Sequence, residues 1–304
     1  MREAYLATAK ALVAAAGHIF WDSTFALKGG TAINLFVRDM PRLSVDLDLV
    51  FTDHTLARDE ALARINEAVR QAAGRFEKRG LQVHAPTAAA GETKLLVRRG
   101  PVQVKIEVNF VMRGTIRPVR QASLTPAARD ALMADLEVPV VSLEDLYGGK
   151  LVAALDRQHP RDLFDVMQLF AHEGITPDIR RAFVVYLASS SRPVHEVLFP
   201  ALRDIRYDFE RNFQGMTAEP VPLDALFAAR ERLVREVRNG LDNDERRFLL
   251  SLAAGTPEWA LLGIDHLEHL PGLRWKLHNL SQLHQTNAKK FAEQVALLEA
   301  RLNA

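Results

Sequence analysis

The sequence predicts an α+β protein, with a mixed sheet and flanking helices in its first part and helices alone in its second. Three observations carry that prediction. Short apolar strand patterns are interleaved with helical ones as far as residue 110. Apolar and polar residues alternate one for one over residues 43–51 and again over 102–110. From Ser142 onward the apolar residues recur at helical spacing instead. We expect residues 1–175 to form the mixed domain and 176–304 a helical C-terminal domain.

Residues 2–20 place Tyr5, Leu6, Ala9, Leu12, Val13 and Ala16 along one helical stripe. Residues 25–27 form a short apolar run that enters Gly29-Gly30, after which residues 31–37 resume a helical pattern that Pro41 ends. Over 43–51, Val45, Leu47, Leu49 and Phe51 take one face and Ser44, Asp46 and Asp48 the other, as in a half-buried strand. A long helix suits residues 56–79, closed by Gly80. Strands follow at 81–85, 94–98 and 102–110. Ser142-Leu143-Glu144-Asp145 has the composition of a helix start, and Pro160 opens another helix running to Phe170. The helix expected over 286–302 carries Phe291, Val295, Leu298 and Leu302 on one side, a packing face.

Composition narrows the function classes. The 304 residues are 48% hydrophobic and 25% charged, ordinary for a globular chain, and the formal net charge of +1 gives no global argument for nucleic acid. Without cysteine there are neither disulfides nor thiolate metal sites. No signal-peptide pattern and no membrane-spanning run is visible, so a cytoplasmic protein without membrane attachment is expected.

Two short segments carry the chemistry. Residues two apart on a strand share a face and lie about 6.5–7 Å apart, so the Asp46 and Asp48 carboxylates can converge on one or two Mg²⁺ ions. Alone, Asp-x-Asp also suits a merely solvated strand face. Gly29 and Gly30, between a strand and a helix, let backbone N–H groups approach phosphate, and Thr31 offers a hydroxyl. A tight turn that needs positive φ is the plainer reading of the pair. The order strand, Gly-Gly-Thr, helix, then Asp-x-Asp on the next strand is far more specific than either half. Glu107, on the polar face of the 102–110 strand, is the candidate third acid, as a metal ligand or as a general base. Lys150 interrupts the apolar stripe Leu143, Leu146, Tyr147, Leu151, Ala154, so it must reach water or meet an anion. Asp162 and Asp165 stand in the opening of the next helix, either as dipole-favoured acids or, for Asp162, as a partner near Lys150.

These segments resemble the AbiEii/AbiGii-type nucleotidyltransferase toxins of bacterial toxin–antitoxin systems, including mycobacterial relatives that act on tRNA. The resemblance lies in Leu27-Lys28-Gly29-Gly30-Thr31, Ser44-Val45-Asp46-Leu47-Asp48-Leu49, Val104-Lys105-Ile106-Glu107-Val108, the run from Gly149-Lys150-Leu151 to Arg157, and Pro160-Arg161-Asp162-Leu163-Phe164-Asp165. It implies a polymerase-β-like nucleotidyltransferase domain that moves a nucleoside monophosphate from an NTP and releases pyrophosphate. In that scheme Gly29, Gly30 and Thr31 hold the phosphates, Asp46 and Asp48 bind Mg²⁺, Lys150 meets the triphosphate and Asp162 is the later catalytic acid. It also implies the 3′ end of tRNA as acceptor, with aminoacylation and translation blocked, and a cognate antitoxin protein as partner. A nucleotidyltransferase acting on a small-molecule hydroxyl, as antibiotic-modifying enzymes do, and a non-catalytic nucleotide- or RNA-binding module are the competing readings.

Arg98, Arg99, Arg113, Arg117, Arg120, Arg157, Arg161, Arg203, Arg206 and Arg211 are candidates to track RNA phosphates, with Tyr207 or Trp275 to stack on an unpaired base. Asp265-His266-Leu267-Glu268-His269 lacks the His-Glu-x-x-His order of a zinc site and reads as ordinary polarity.

Overall fold

A computed structural model describes residues 3–85 and 92–303. They form two compact units: residues up to Ser142 with Phe213–Val221, and Leu143–Asn212 with Pro222 onward.

The first unit is built on a seven-stranded mixed sheet. Its strands are β1 (Phe25–Lys28), β2 (Asp46–Phe51), β3 (Gln82–His84), β4 (Glu92–Arg99), β5 (Val102–Asn109), β6 (Arg120–Ser123) and β7 (Glu137–Val140), in the spatial order β3-β4-β5-β2-β1-β7-β6. Two pairs are parallel, β2 with β5 and β1 with β7; the others are antiparallel. Helices α1 (Glu3–Ile19), α2 (Gly29–Ala32), α3 (Arg58–Glu77) and α4 (Pro126–Leu132) complete it. The alternation read from the sequence is realised at the centre, where Leu47, Leu49, Ile106 and Val108 are buried. Helix α1 packs on β2 and β5 through its stripe of Ala9, Leu12, Val13 and Ala16, and α3 packs on α1, β3 and β4. Burying such aliphatic side chains stabilises a fold by about 1.5–3 kcal/mol each. At its end α3 is released at Gly80, whose φ of +74° suits glycine.

After α2 the helix widens into a π turn over Ile33–Val37 rather than continuing as the α-helix the spacing suggested. The elements β6, α4 and β7 were not foreseen. Two of them are four-residue strands, and β7 carries Pro139, which argues against a strand in a sequence reading.

The second unit is helical: α5 (Leu143–Arg157), α6 (Pro160–Ala171), α7 (Pro177–Ala188), α8 (Val194–Leu198), α9 (Arg206–Asn212), α10 (Leu223–Asn239), α11 (Asn243–Ala253), α12 (Pro271–Thr286) and α13 (Ala288–Leu302). Helix α5 lies close on α7 because Gly148 has no side chain; an added Cβ would sit 2.8 Å from the Ala182 carbonyl carbon. Helix α11 opens with a capping box in which the Asp242 side chain accepts from Glu245 N–H and the Glu245 carboxylate accepts from Asp242 N–H. The compact units divide at Ser142/Leu143, whereas the sequence placed the division near residue 175. The physical reason is that α5 and α6 bury their apolar faces among α7 and α10, and so group with the helices. Leu298 and Leu302 of α13 are buried, in keeping with the packing face expected there.

Candidate functional site

The parallel pairing of β2 and β5 puts Asp48 opposite Glu107 and Asp46 opposite Lys105. On the outer sides, β1 sets Lys28 opposite Asp48 and β4 sets Lys94 opposite Glu107. Directly opposed residues share a sheet face, so one row reads Lys28, Asp48, Glu107, Lys94, with Asp46 and Lys105 beside it on the same face. The sheet thus gathers the three acids singled out in the sequence. It also supplies lysines that were not singled out, because the register between distant strands cannot be read from one chain.

Lys105 Nζ lies 3.0 Å from Glu107 Oε2 and 3.9 Å from Asp46 Oδ1, and Lys94 Nζ lies 3.3 Å from Glu107 Oε1. Partial burial alone would raise the Glu107 pKa; hydrogen bonds and charge from Lys105 and then Lys94 outweigh it and hold the carboxyl below its ordinary value. An ionised, weakly basic Glu107 suits an electrostatic or ligand role and argues against the general-base role also considered for it.

The Gly29-Gly30 turn abuts this row. Gly29 has φ +73°, and a Cβ on it would lie 2.3 Å from Asp48 Oδ2. A Cβ on Gly30 would lie 2.7 Å from Arg42 Nη2 and 3.3 Å from Ser44 Oγ. Gly29 is therefore required by its backbone conformation and by the Asp48 side chain against it, whereas a side chain on Gly30 would have to displace the end of Arg42. Thr31 is wholly buried and its hydroxyl donates to the Asp46 carbonyl at 2.5 Å. That bond replaces the phosphate contact expected of Thr31: its proton is already committed, and it ties α2 to the start of β2. Asn34 Nδ2 donates to the Gly30 carbonyl at 2.9 Å and fixes the turn from within the π segment.

Among the described residues no group of three or more His, Cys, Asp or Glu side chains is arranged to hold a metal ion. Two hard carboxylates, Asp46 and Asp48, remain on one strand face. They fit Mg²⁺, which is commonly held by one or two carboxylates together with phosphate and water oxygens.

In the helical unit, Lys150 Nζ lies 2.8 Å from Asp162 Oδ1 and 2.9 Å from Asp165 Oδ2, and all three residues are buried. Of the alternatives set out for Lys150, meeting an anion is realised by carboxylates of α6, with the side chain 7% exposed. Arg157 Nη2, largely exposed, closes on Asp162 Oδ2 at 2.9 Å. The turn between the helices puts Gln158 at φ +53°, and α6 starts at His159, whose ring Nδ1 accepts from the Arg161 N–H. Burial, and secondarily Arg161, lower the His159 pKa and favour the neutral ring that this cap needs. Asp165, read in the sequence as a helix-start acid, is the residue whose part in the cluster was missed; its i, i+3 spacing from Asp162 was the available signal.

The arginines divide. Arg113 is buried beside the Arg58 carbonyl, and burial lowers its pKa, so it is no surface reader of phosphate. Arg206 is engaged by Asp204 through both carboxylate oxygens. Arg98, Arg99, Arg120, Arg203 and Arg211 are exposed, as are Tyr207 and Trp275, the latter stacked on His278. Residues 267–269 form a short 3₁₀ turn. Among the described residues no helix is long and apolar enough to cross a membrane.

Comparison with known proteins adds two findings. A family model described as the nucleotidyl transferase AbiEii toxin of type IV toxin–antitoxin systems matches residues 10–279. The fold is similar to that of MenT4, a nucleotidyltransferase toxin from Mycobacterium tuberculosis H37Rv, with a TM-score of 0.60 at 19% identity, covering 91% of this chain and 94% of that one. No curated protein sequence matches.

Proposed function

Since this chain belongs to the AbiEii family of nucleotidyltransferase toxins of type IV toxin–antitoxin systems, we propose that it transfers a nucleoside monophosphate from an NTP to the 3′ end of tRNA, in a Mg²⁺-dependent reaction that stops aminoacylation. The observation that carries the reading is the in-register placement of Asp48 beside Glu107 on neighbouring strands, with Asp46 on the same face and Gly29 against Asp48.

Asp46 and Asp48 would hold the metal through carboxylate oxygens. When bound, it supplies neutralisation of charge on the phosphates and a lowered pKa for the attacking hydroxyl. The chain supplies the rest. Gly29 and Gly30 let the turn pack closely against Asp48 and Arg42, and its backbone N–H groups are the ones assigned to phosphate oxygens. Thr31 and Asn34 keep that turn rigid, which favours transition-state stabilisation without reorganisation. Glu107 stays ionised between Lys94 and Lys105 and adds negative field beside the metal ligands. In the helical unit we propose Lys150 as a phosphate-binding cation, its ammonium oriented by Asp162 and Asp165, with Arg157 adding an exposed cation. The acceptor hydroxyl gives its proton to solvent water as its oxygen bonds the α-phosphorus, the bond from that phosphorus to the bridging oxygen breaks, and pyrophosphate leaves. Exposed Arg98, Arg99 and Arg120 offer cations for RNA phosphates. A cognate antitoxin protein is the partner expected of the family.

Incubating the protein with total RNA and each of four α-labelled NTPs, then sequencing the labelled 3′ ends, tests the proposal. Label on tRNA ends supports it. Label on aminoglycoside or lincosamide hydroxyls and none on RNA would replace the acceptor, and no label on either would refute the reaction.

A further inference from the structure

Beneath the Gly29-Gly30 turn lies an arginine that the sequence did not single out. Arg42 is 2% exposed, its Nη1 donates to the Leu43 carbonyl at 2.9 Å, and its Nη2 occupies the space a Gly30 side chain would need. Reaching that place requires a sharp reversal of the chain after the π turn. Met40 makes it with φ +54°, a left-handed conformation uncommon for a residue with a side chain, and its N–H bonds the Asn34 and Arg38 carbonyls.

A second segment holds Arg42 there. Residues Phe213–Val221 belong to the first unit although they lie between α9 and α10 in the chain. They pair with the Arg42 segment as an isolated antiparallel bridge, Arg42 opposite Thr217, flanked by Leu43 N–H to Met216 O at 2.8 Å and Ala218 N–H to Pro41 O at 2.9 Å. Residues some 170 positions away in sequence thus anchor the backbone that carries the guanidinium.

We propose that Arg42, anchored by the 213–221 strap, is a positioning residue for the triphosphate: it sets the Gly30 backbone and places a fixed positive charge behind the turn. The inference rests on the nucleotidyltransferase reading above. Two features support a charge rather than mere packing. Burying a guanidinium is costly where an aliphatic side chain would fill the same space, and the charge lies directly against the backbone of the turn assigned to the phosphates. A fixed cation in a low-dielectric wall acts on an anion without needing to touch it. Arg42 therefore governs affinity for the phosphate chain more than turnover, and the strap governs Arg42.

The test is steady-state NMP transfer at varied Mg-NTP for wild type, Arg42→Met, Arg42→Lys and Ala218→Pro, with inorganic tripolyphosphate as a competitor. Arg42→Met keeps bulk and loses charge; we expect KM for NTP to rise about tenfold or more, with kcat within about threefold and tripolyphosphate inhibition weakened in parallel. Arg42→Lys should restore KM to within about threefold of wild type. Ala218→Pro removes the strap bond to the Pro41 carbonyl and should raise KM in the same direction by a smaller factor, which keeps the proposal testable if Arg42→Met does not fold. An active wild type whose KM and tripolyphosphate inhibition are unmoved by Arg42→Met, or by Ala218→Pro where Arg42→Met is unfolded, overturns the inference alone. A wild type that transfers from no NTP overturns the nucleotidyltransferase reading and this inference with it.

Discussion

The carboxylate of Asp48 fills the space that a side chain on Gly29 would occupy, with Oδ2 2.3 Å from the position of an added Cβ. Gly29→Ala therefore meets two obstacles at once: the collision, and a φ of +73° that costs a residue with a Cβ about 1–2 kcal/mol. Relief requires Asp48 or the turn to move. We expect NMP transfer to fall roughly 10²-fold, the scale associated with misplacing a catalytic group by about 1 Å. Transfer assays on the folded variant, checked by circular dichroism, read this out.

Removing charge from the strand face should stop chemistry without unfolding the protein. Asp46→Asn keeps shape and half-exposed packing but loses a hard anionic donor. We expect transfer to drop roughly 10³-fold, about 4 kcal/mol at 1.36 kcal/mol per decade, with urea stability changed by less than about 1 kcal/mol. Glu107→Gln, which releases Lys94 and Lys105 from their shared partner, should cost less than Asp46→Asn because Glu107 is assigned the field and not the ligand.

Lys150 requires a comparison that separates folding from function. Lys150→Met leaves Asp162 and Asp165 buried without their ammonium, and breaking a buried pair in this way costs about 3–5 kcal/mol. Loss of activity in that variant alone would say little. The triple change Lys150→Met, Asp162→Asn, Asp165→Asn removes the uncompensated charge and should recover much of the stability while transfer stays lost. Recovery of both would assign the cluster to packing only.

Acid should destabilise the fold through His195, which is buried, and through the half-buried His18 and His159. Burial is the leading cause of a lowered pKa at His18, His159 and His195, each below the ordinary 6.5. Below pH 6.5 the unfolded chain binds these protons before the folded one does, so stability falls as pH drops through that window and is level above it. His159→Asn keeps an acceptor at the α6 cap without a titrating ring and should flatten part of the slope. Urea unfolding at about pH 7.5 and about pH 5.5 measures both effects.

Much of this arrangement was legible in the chain because it follows local rules. The alternation around Asp46 and Asp48 placed both carboxylates on one polar face, and the glycine pair marked the turn that packs against them. The start of α6 at Pro160 and the end of α3 at Gly80 followed from proline and glycine chemistry. What escaped depends on long-range geometry. Lys94 and Lys105 meet Glu107 only because β4 and β5 pair in one register. Arg42 reaches Gly30 only because Met40 turns back and residues 213–221 return to the sheet unit. Asp165 pairs with Lys150 through the packing of α6 on α5; its i, i+3 spacing puts it on the face of Asp162, but the contact itself depends on that packing. The strands β6 and β7 are too short, and β7 too burdened by Pro139, to announce themselves.

The most direct measurement is single-turnover transfer of α-labelled NMP to RNA 3′ ends by wild type and by Asp48→Asn at equal folded concentration, with Mg²⁺ present. The account predicts labelled RNA and stoichiometric pyrophosphate from the wild type and at least roughly 10³-fold slower labelling from Asp48→Asn. Equal labelling by the two proteins would contradict it, because the carboxylate packed on Gly29 would then have no part in the reaction.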